Sequence, residues 1–157
     1  MIPQVKIRGF EVAKGWEELG VRLPEQATKH SAGYDFFAVE DVFISPFQVR
    51  TNERPVLIPT GIKAYMRSDE VLALANRSSN PKKGLLLANG IGVVDQDYYE
   101  NEDNDGHIMF AFWNFGYSTI EFKKGDKIGQ GIFLNFLRAD GSDVKTTRKG
   151  GFGHSGI

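Results

Sequence analysis

Ile108-Met-Phe-Ala-Phe-Trp-Asn-Phe115 is apolar on both of its alternating faces. A strand that is polar on one face needs one cover. This one needs two, supplied by a second sheet or by another subunit. Outward from it, short apolar stretches recur between turn residues. Residues 42–49, 56–62, 71–75 and 128–134 all read as strands, with eighteen glycines and six prolines scattered as punctuation through the chain. Many short strands separated by turn signals predict an all-β fold, a sandwich or barrel. Helical patterns are weak: 12–19 is interrupted by Gly15, and 79–87 allows at most a short helix near Pro81, with Ser79 as its cap. There is no repeat at a fixed period and no low-complexity block.

The 157 residues correspond to one domain with a core large enough to need no staples. Nineteen basic against twenty acidic residues give a formal charge of −1, which excludes a general nucleic-acid coat or a basic membrane-surface protein. With no Cys there is no disulfide, no thiolate nucleophile and no Cys-ligated metal. The opening Met1-Ile-Pro-Gln-Val-Lys lacks a signal-peptide apolar run, and no stretch approaches 18 apolar residues. The expectation is a soluble cytoplasmic protein with neither nucleic acid nor membrane as partner.

Two motifs look familiar and fail. Gly151, Gly153 and Gly156 fit G-x-G-x-x-G, but that fingerprint needs a following helix, and one residue follows here. Asn101-Glu-Asp-Asn-Asp-Gly106 opens like a calcium loop, yet its twelfth position is Phe112 instead of Glu. A solvated acidic turn is the plainer reading.

Other segments carry more chemistry. The tail Arg148-Lys-Gly-Gly-Phe-Gly-His-Ser-Gly-Ile157 is too glycine-rich to hold a shape without a partner. It reads either as a frayed end or as a donor-rich strap for a phosphate chain, with Phe152 closing over a flat base. Arg77-Ser78-Ser79 follows an apolar strand, where it serves either as a cap or as a bidentate phosphate holder. Asn89 offers the donor and acceptor that reading a pyrimidine edge requires. Asp95 ends an apolar run and is either a turn residue or a base that deprotonates water. Gln130 lies among Ile128, Gly129, Gly131 and Ile132, pointing outward by alternation or buried with partners.

The order of these segments is more specific than any one of them. Ala32-Gly-Tyr-Asp-Phe-Phe-Ala38, Arg77-Ser-Ser79, Gly92-Val-Val-Asp-Gln-Asp-Tyr98, Gly125-Asp-Lys-Ile-Gly-Gln130 and Gly151-Phe-Gly-His-Ser-Gly156 resemble the five ordered motifs of the trimeric dUTPase family. The Asn80-Pro-Lys-Lys and Tyr98-Tyr99 stretches resemble the form found in Gram-positive bacteria and their phages. The resemblance implies a jelly-roll β subunit (1–147), a flexible C-terminal lid (148–157), and a homotrimer with sites between subunits. It implies hydrolysis of dUTP to dUMP and pyrophosphate with Mg²⁺. By the same resemblance, Asp95 positions the attacking water, and Asn89 reads uracil with backbone groups of its hairpin, Gly92 included. Tyr98 packs on the deoxyribose and excludes a 2′-hydroxyl. Arg77, Ser78, Ser79 and Gln130 hold phosphate oxygens. Phe152 covers uracil, and Arg148 and Ser155 take the outer phosphates, with Gly153 and His154 between them. Asp35 matches a carboxylate near the metal and phosphates that acts through water.

The chain departs from the family pattern at Glu100, where Gly is usual, and at Asn76, where Pro is usual. Gly129 and Lys127 stand where Ala and Arg are common, both mild changes on sequence grounds. The Arg148–Phe152 spacing is one residue short, which bears on the reach of Arg148. His30 and His107 have no matching role and read as solvated turn residues. Two other functions compete. A dCTP deaminase shares the fold and the Arg-Ser-Ser segment, but not the tail or Asp95-Gln-Asp-Tyr98. A regulatory protein-binding module of phage type would use the acidic 100–105 turn and a protein partner.

Overall fold

The computed structural model describes residues 2–50 and 54–151. Eleven strands form along these residues: β1 (Gly9–Val12), β2 (Glu25–Gln26), β3 (Tyr34–Phe37), β4 (Val42–Ile44), β5 (Val56–Tyr65), β6 (Glu70–Ala75), β7 (Leu85–Leu87), β8 (Gly92–Asp95), β9 (Ile108–Asn114), β10 (Ile120–Phe122) and β11 (Lys127–Asn135). A four-stranded sheet has the order β1-β5-β9-β7, a five-stranded sheet the order β2-β3-β11-β6-β8, and β10-β4 form a small third sheet. All the pairings are antiparallel. This is the all-β architecture that the strand pattern predicts, in the jelly-roll-like form that the family resemblance implies. Among the described residues no helix is long and apolar enough to cross a membrane.

The two large sheets face each other across one core. Alternate residues of β9 point inward, and Ile108, Phe110 and Phe112 are buried there with Phe36, Ile58, Leu72 and Ile128. The Phe36 and Phe110 rings meet across the sheets, 5.3 Å between centroids. Phe110 is covered so closely that a Cβ on Gly129 would lie 2.1 Å from its ring. The Gly129 difference is therefore not mild in this core: an alanine there requires Phe110 to move, and overpacking of that kind costs about 1–3 kcal/mol.

The outward residues of β9 explain why the strand is apolar on both faces. Ala111 pairs with Leu57, and Trp113 pairs with Leu86. Leu57 and Leu86 are 45% and 43% exposed, and Phe47 meets Trp113 edge-on at 5.3 Å while Phe115 lies tilted against it at 6.4 Å. One face is thus covered by the second sheet, and the other is open on a single chain.

Sequence reading misplaced some boundaries. The 42–49 run is a strand only to Ile44 and then a 3₁₀ turn over Phe47–Val49, because Pro46 removes a ladder donor. The short helix near Pro81 is a 3₁₀ turn, Pro81–Lys83, and Asn80 precedes it at the cap position instead of Ser79. Asn80 is buried and donates to Asn76 Oδ1 and to the Ile128 carbonyl, at 2.8 and 3.0 Å.

Candidate active site

Pairing register places the candidate site residues on the five-stranded sheet. Along β6, Leu72 and Leu74 enter the core, so Val71, Ala73 and Ala75 face outward. Asp95 pairs with Val71 at one end of β6. Gln130 pairs with Ala75 at the other end, and with Asp35 on its far side. Four residues along the strand and two strand spacings across separate Asp95 from Gln130 by about 16 Å. Arg77 lies two residues beyond Ala75, farther still. The candidate residues therefore fall into two groups on one chain.

The first group surrounds a cavity of about 300 Å³, lined by residues including Asn89, Gly92, Asp95, Tyr98, Met109 and Gly151. The hairpin between β7 and β8 carries the chain from one sheet to the other, with Gly90 at positive φ in its turn. Asn89 is exposed at this tip. Since β8 is the edge strand, the side away from β6 leaves backbone donors and acceptors unpaired by the sheet. Gly92 is required for this approach, because a Cβ there would lie 2.9 Å from Leu74 Cβ. Tyr98 is buried, ending the 3₁₀ turn Gln96–Tyr98; burial raises its phenol above the ordinary range.

Arg148 reaches this same cavity. Its guanidinium donates to Asp95 Oδ2 at 2.5 Å and to Asp97 Oδ1 at 2.7 Å. Gly150 and Gly151 are buried, and Gly151 lies against Tyr98, where a Cβ would come within 2.4 Å of the ring. The shorter spacing thus leaves Arg148 within reach of the carboxylates, a contact that sequence reading did not foresee. Phe152, Gly153, His154 and Ser155 lie outside the described residues.

The second group is built around β3 and β11. Gln130 is half-buried, and its Nε2 donates to the Asn76 carbonyl at 3.0 Å, so it points outward and is also partnered. Arg77 donates to the Lys127 carbonyl at 3.1 Å, and Lys127 Nζ pairs with Asp35 at 2.7 Å. Asn76, where the family usually has a proline, braces the segment with its side chain. Its Oδ1 accepts from the Arg77 amide at 2.9 Å, and its Nδ2 donates to the Leu85 carbonyl at 3.0 Å. Ser78 is exposed and Ser79 half-buried beside this brace.

The acidic turn is exposed at Glu102 and Asp103, as expected, but the rest of it and its histidine correct the sequence reading. Asn101, Gly106 and His107 are buried. Asp105 and Glu100 are ion-paired to Lys63 at 2.9 and 3.0 Å. Glu100 has φ 55°, a left-handed conformation, which accounts for the family's preference for glycine there. His107 Nε2 accepts from the Gly61 amide at 3.0 Å, and its ring lies on Trp16, 4.5 Å between centroids. His30 is exposed, as expected.

Burial lowers the His107 imidazole from 6.5 to about 4. The neutral form is the one the fold accommodates, so stability is complete above pH 6.5. It is lost as pH falls towards 4, where the unfolded chain binds a proton that the folded one refuses. The loss attributable to this group is about 3 kcal/mol at pH 4. Denaturant midpoints between pH 4 and 7 measure it, and a His107→Asn protein is expected to show a flatter profile.

Residues 20–156 match the dUTPase family model. The chain belongs to the dUTPase family. The deoxyuridine 5′-triphosphate nucleotidohydrolase of Lactococcus lactis is 47% identical over 155 residues, 97% of this chain and 99% of the relative. The enzyme of that name from Haemophilus ducreyi is 36% identical over 141 residues, covering 85% of this chain and 86% of its own. The crystal structure of the Streptococcus mutans dUTPase superposes with a TM-score of 0.75 at 43% identity, over 85% of this chain and 99% of that one. Family membership orders the competing functions, with dUTP hydrolysis ahead of a deaminase.

Proposed function

We propose that this protein hydrolyses dUTP to dUMP and pyrophosphate in sites assembled between the subunits of a homotrimer. The observation that carries the shared site is the division of the candidate residues into two groups about 16 Å apart along the five-stranded sheet. Water attack at the α-phosphorus needs the base and the phosphate donors around one phosphoryl group. One chain cannot bring Gln130 and Arg77 to Asp95, whereas the Asp95 end of one chain against the Arg77 end of a neighbour can. The face that carries the exposed Leu57, Leu86 and Phe115 supplies apolar surface for subunit contact.

In this reading Asn89 and the free edge of β8 read the uracil edge, and the Tyr98 ring closes the space beside the sugar's 2′ carbon. Asp95 accepts a proton from water as its oxygen bonds to the α-phosphorus, and the bond from that phosphorus to the bridging oxygen breaks to release pyrophosphate. Arg77, Ser78, Ser79 and Gln130 bind the phosphate oxygens. Arg148 exchanges Asp95 and Asp97 for the outer phosphates as substrate enters, which frees the base. Residues 152–155 complete the closure, with Phe152 over uracil and Ser155 on phosphate. Both filters, amide against base and ring against ribose, act on binding before chemistry.

Mg²⁺ fits as an ion carried by the substrate. Among the described residues, no group of three His, Cys, Asp or Glu is placed to hold a metal. Asp35 is a single carboxylate, already paired with Lys127, beside the phosphate donors. Mg²⁺ keeps several waters and uses one or two carboxylates plus substrate phosphates, which suits a water-mediated role for Asp35. Bound there, the ion neutralises charge on the phosphate chain.

A mixing experiment tests the shared site. Asp95→Asn and Arg77→Ala proteins are each expected to be nearly inactive. Co-expressed in equal amounts, they should regain about one quarter of wild-type turnover, because one site in four then draws both intact residues from different chains in a cyclic trimer. Turnover no greater than that of the separate variants places both residues in one chain's site and ends the proposal.

A further inference from the structure

The turn 101–106 has a use that its acidity hides. We propose that it sets sugar specificity by fixing the Tyr98 ring, with Asn104 as the positioning residue. This rests on the reading in which Tyr98 faces the sugar.

The Tyr98 hydroxyl is held twice. It accepts from Asn104 Nδ2 at 2.8 Å and donates to the His107 carbonyl at 2.7 Å. Asn104 cannot swing away, because its Oδ1 accepts from Asn101 Nδ2 at 2.9 Å and from the Gly106 amide at 3.1 Å. Asn101 closes the network on Tyr98 itself, donating to the Tyr98 carbonyl at 2.7 Å. Its Oδ1 caps the Asp103 and Asn104 amides at 3.0 and 3.1 Å. The turn therefore grips both the backbone carbonyl and the phenol of one residue. Gly106 permits the grip, since at φ 86° a Cβ would lie 2.8 Å from the Tyr98 carbonyl. Lys63 and the Lys14 amide, both on Asp105, anchor the turn from outside at 2.9 and 2.7 Å.

A wall that rejects one added oxygen must not yield by an ångström. Tyr98 lines the cavity and carries Gly151 against its ring, so movement of that ring opens the space a 2′-hydroxyl would need. Without Asn104, the phenol keeps one hydrogen bond and can tilt about it. Discrimination against ribose then falls, by an amount set by the lost bond.

The test compares kcat/KM for dUTP and UTP in the wild type, Asn104→Ala, Tyr98→Phe and the double variant. The dUTP-to-UTP ratio should fall about three- to tenfold in Asn104→Ala, the range one hydrogen bond covers, and at least as far in Tyr98→Phe, which loses both bonds to the phenol. The double variant should fall no further than the larger single effect, because both changes release the same phenol. A purely structural role for Asn104 would lower melting temperature without moving the ratio. An unchanged ratio in folded Asn104→Ala, or additive effects, overturns the proposal. Should Asn104→Ala fail to fold, Asn104→Asp, which keeps the Oδ1 acceptor but has no donor for the phenol, takes its place, and an unchanged ratio in Tyr98→Phe, which removes both bonds, overturns the proposal as well. Tyr98→Ala separates the two levels: if it leaves the ratio unchanged, the ring is not the wall and the underlying reading fails. If it relaxes the ratio while the other variants do not, only the role of Asn104 is lost.

Discussion

Asp95→Asn lowers turnover of dUTP roughly 10³-fold, within the range that loss of a positioned base produces, and leaves dUTP binding within a few-fold. Asn has the shape and the hydrogen-bonding capacity of the carboxylate but cannot accept the proton of an attacking water. Asp95 is suited to that job because its side chain is half-exposed at the cavity and is held there by the tail guanidinium, which substrate phosphates can draw away. Single-turnover rates measure the chemical step, and calorimetric titration in the variant measures binding. Turnover within a few-fold of wild type would remove Asp95 from the base role, and loss of binding would assign it to substrate recognition.

Deleting residues 148–157 lowers turnover by roughly 10²–10³ or more, since each donor aimed at developing charge is worth that much. The β domain should remain folded and keep its assembly state. The sheets and their core lie before residue 148, and the tail's described contacts are confined to Arg148, Gly150 and Gly151 around Asp95, Asp97 and Tyr98. Arg148→Ala alone should recover part of the deletion's effect and raise KM, because the rest of the strap remains. Light scattering checks the assembly, and pyrophosphate release checks the rate. Full activity in the truncated protein would mean that the tail is not part of the site.

The architecture was legible because period-two apolar patterns survive any detail of packing: residues 108–115, read as covered twice, do bury one face and leave the other open. What alternation does not encode is where one strand's residues stand relative to another's. That is why the motifs could be ordered along the chain while their separation at opposite ends of β6 could not be seen. Gln130 shows the point at one residue, for it points outward, as alternation allows, and still finds a partner in the Asn76 carbonyl, fifty-four positions back at the end of the neighbouring strand. The acidic turn misled for a related reason. Composition made all of Asn101–Gly106 look solvated, whereas its asparagines are spent on Tyr98 and Asp105 on Lys63, leaving Glu102 and Asp103 exposed. His107 was misread the same way, since nothing local reveals Trp16 and Gly61 waiting ninety-one and forty-six positions back. The spacing of Asn101, Asn104 and His107 behind a Tyr was the available signal, at intervals that let side chains return to one turn.

Pyrophosphate release from a panel of dUTP, UTP, dTTP and dCTP with Mg²⁺, with ammonia followed in the dCTP arm, tests the central claim most directly. The account predicts rapid formation of dUMP and pyrophosphate from dUTP, little from the other three, and no ammonia. Equal turnover of UTP, or ammonia from dCTP, would contradict it.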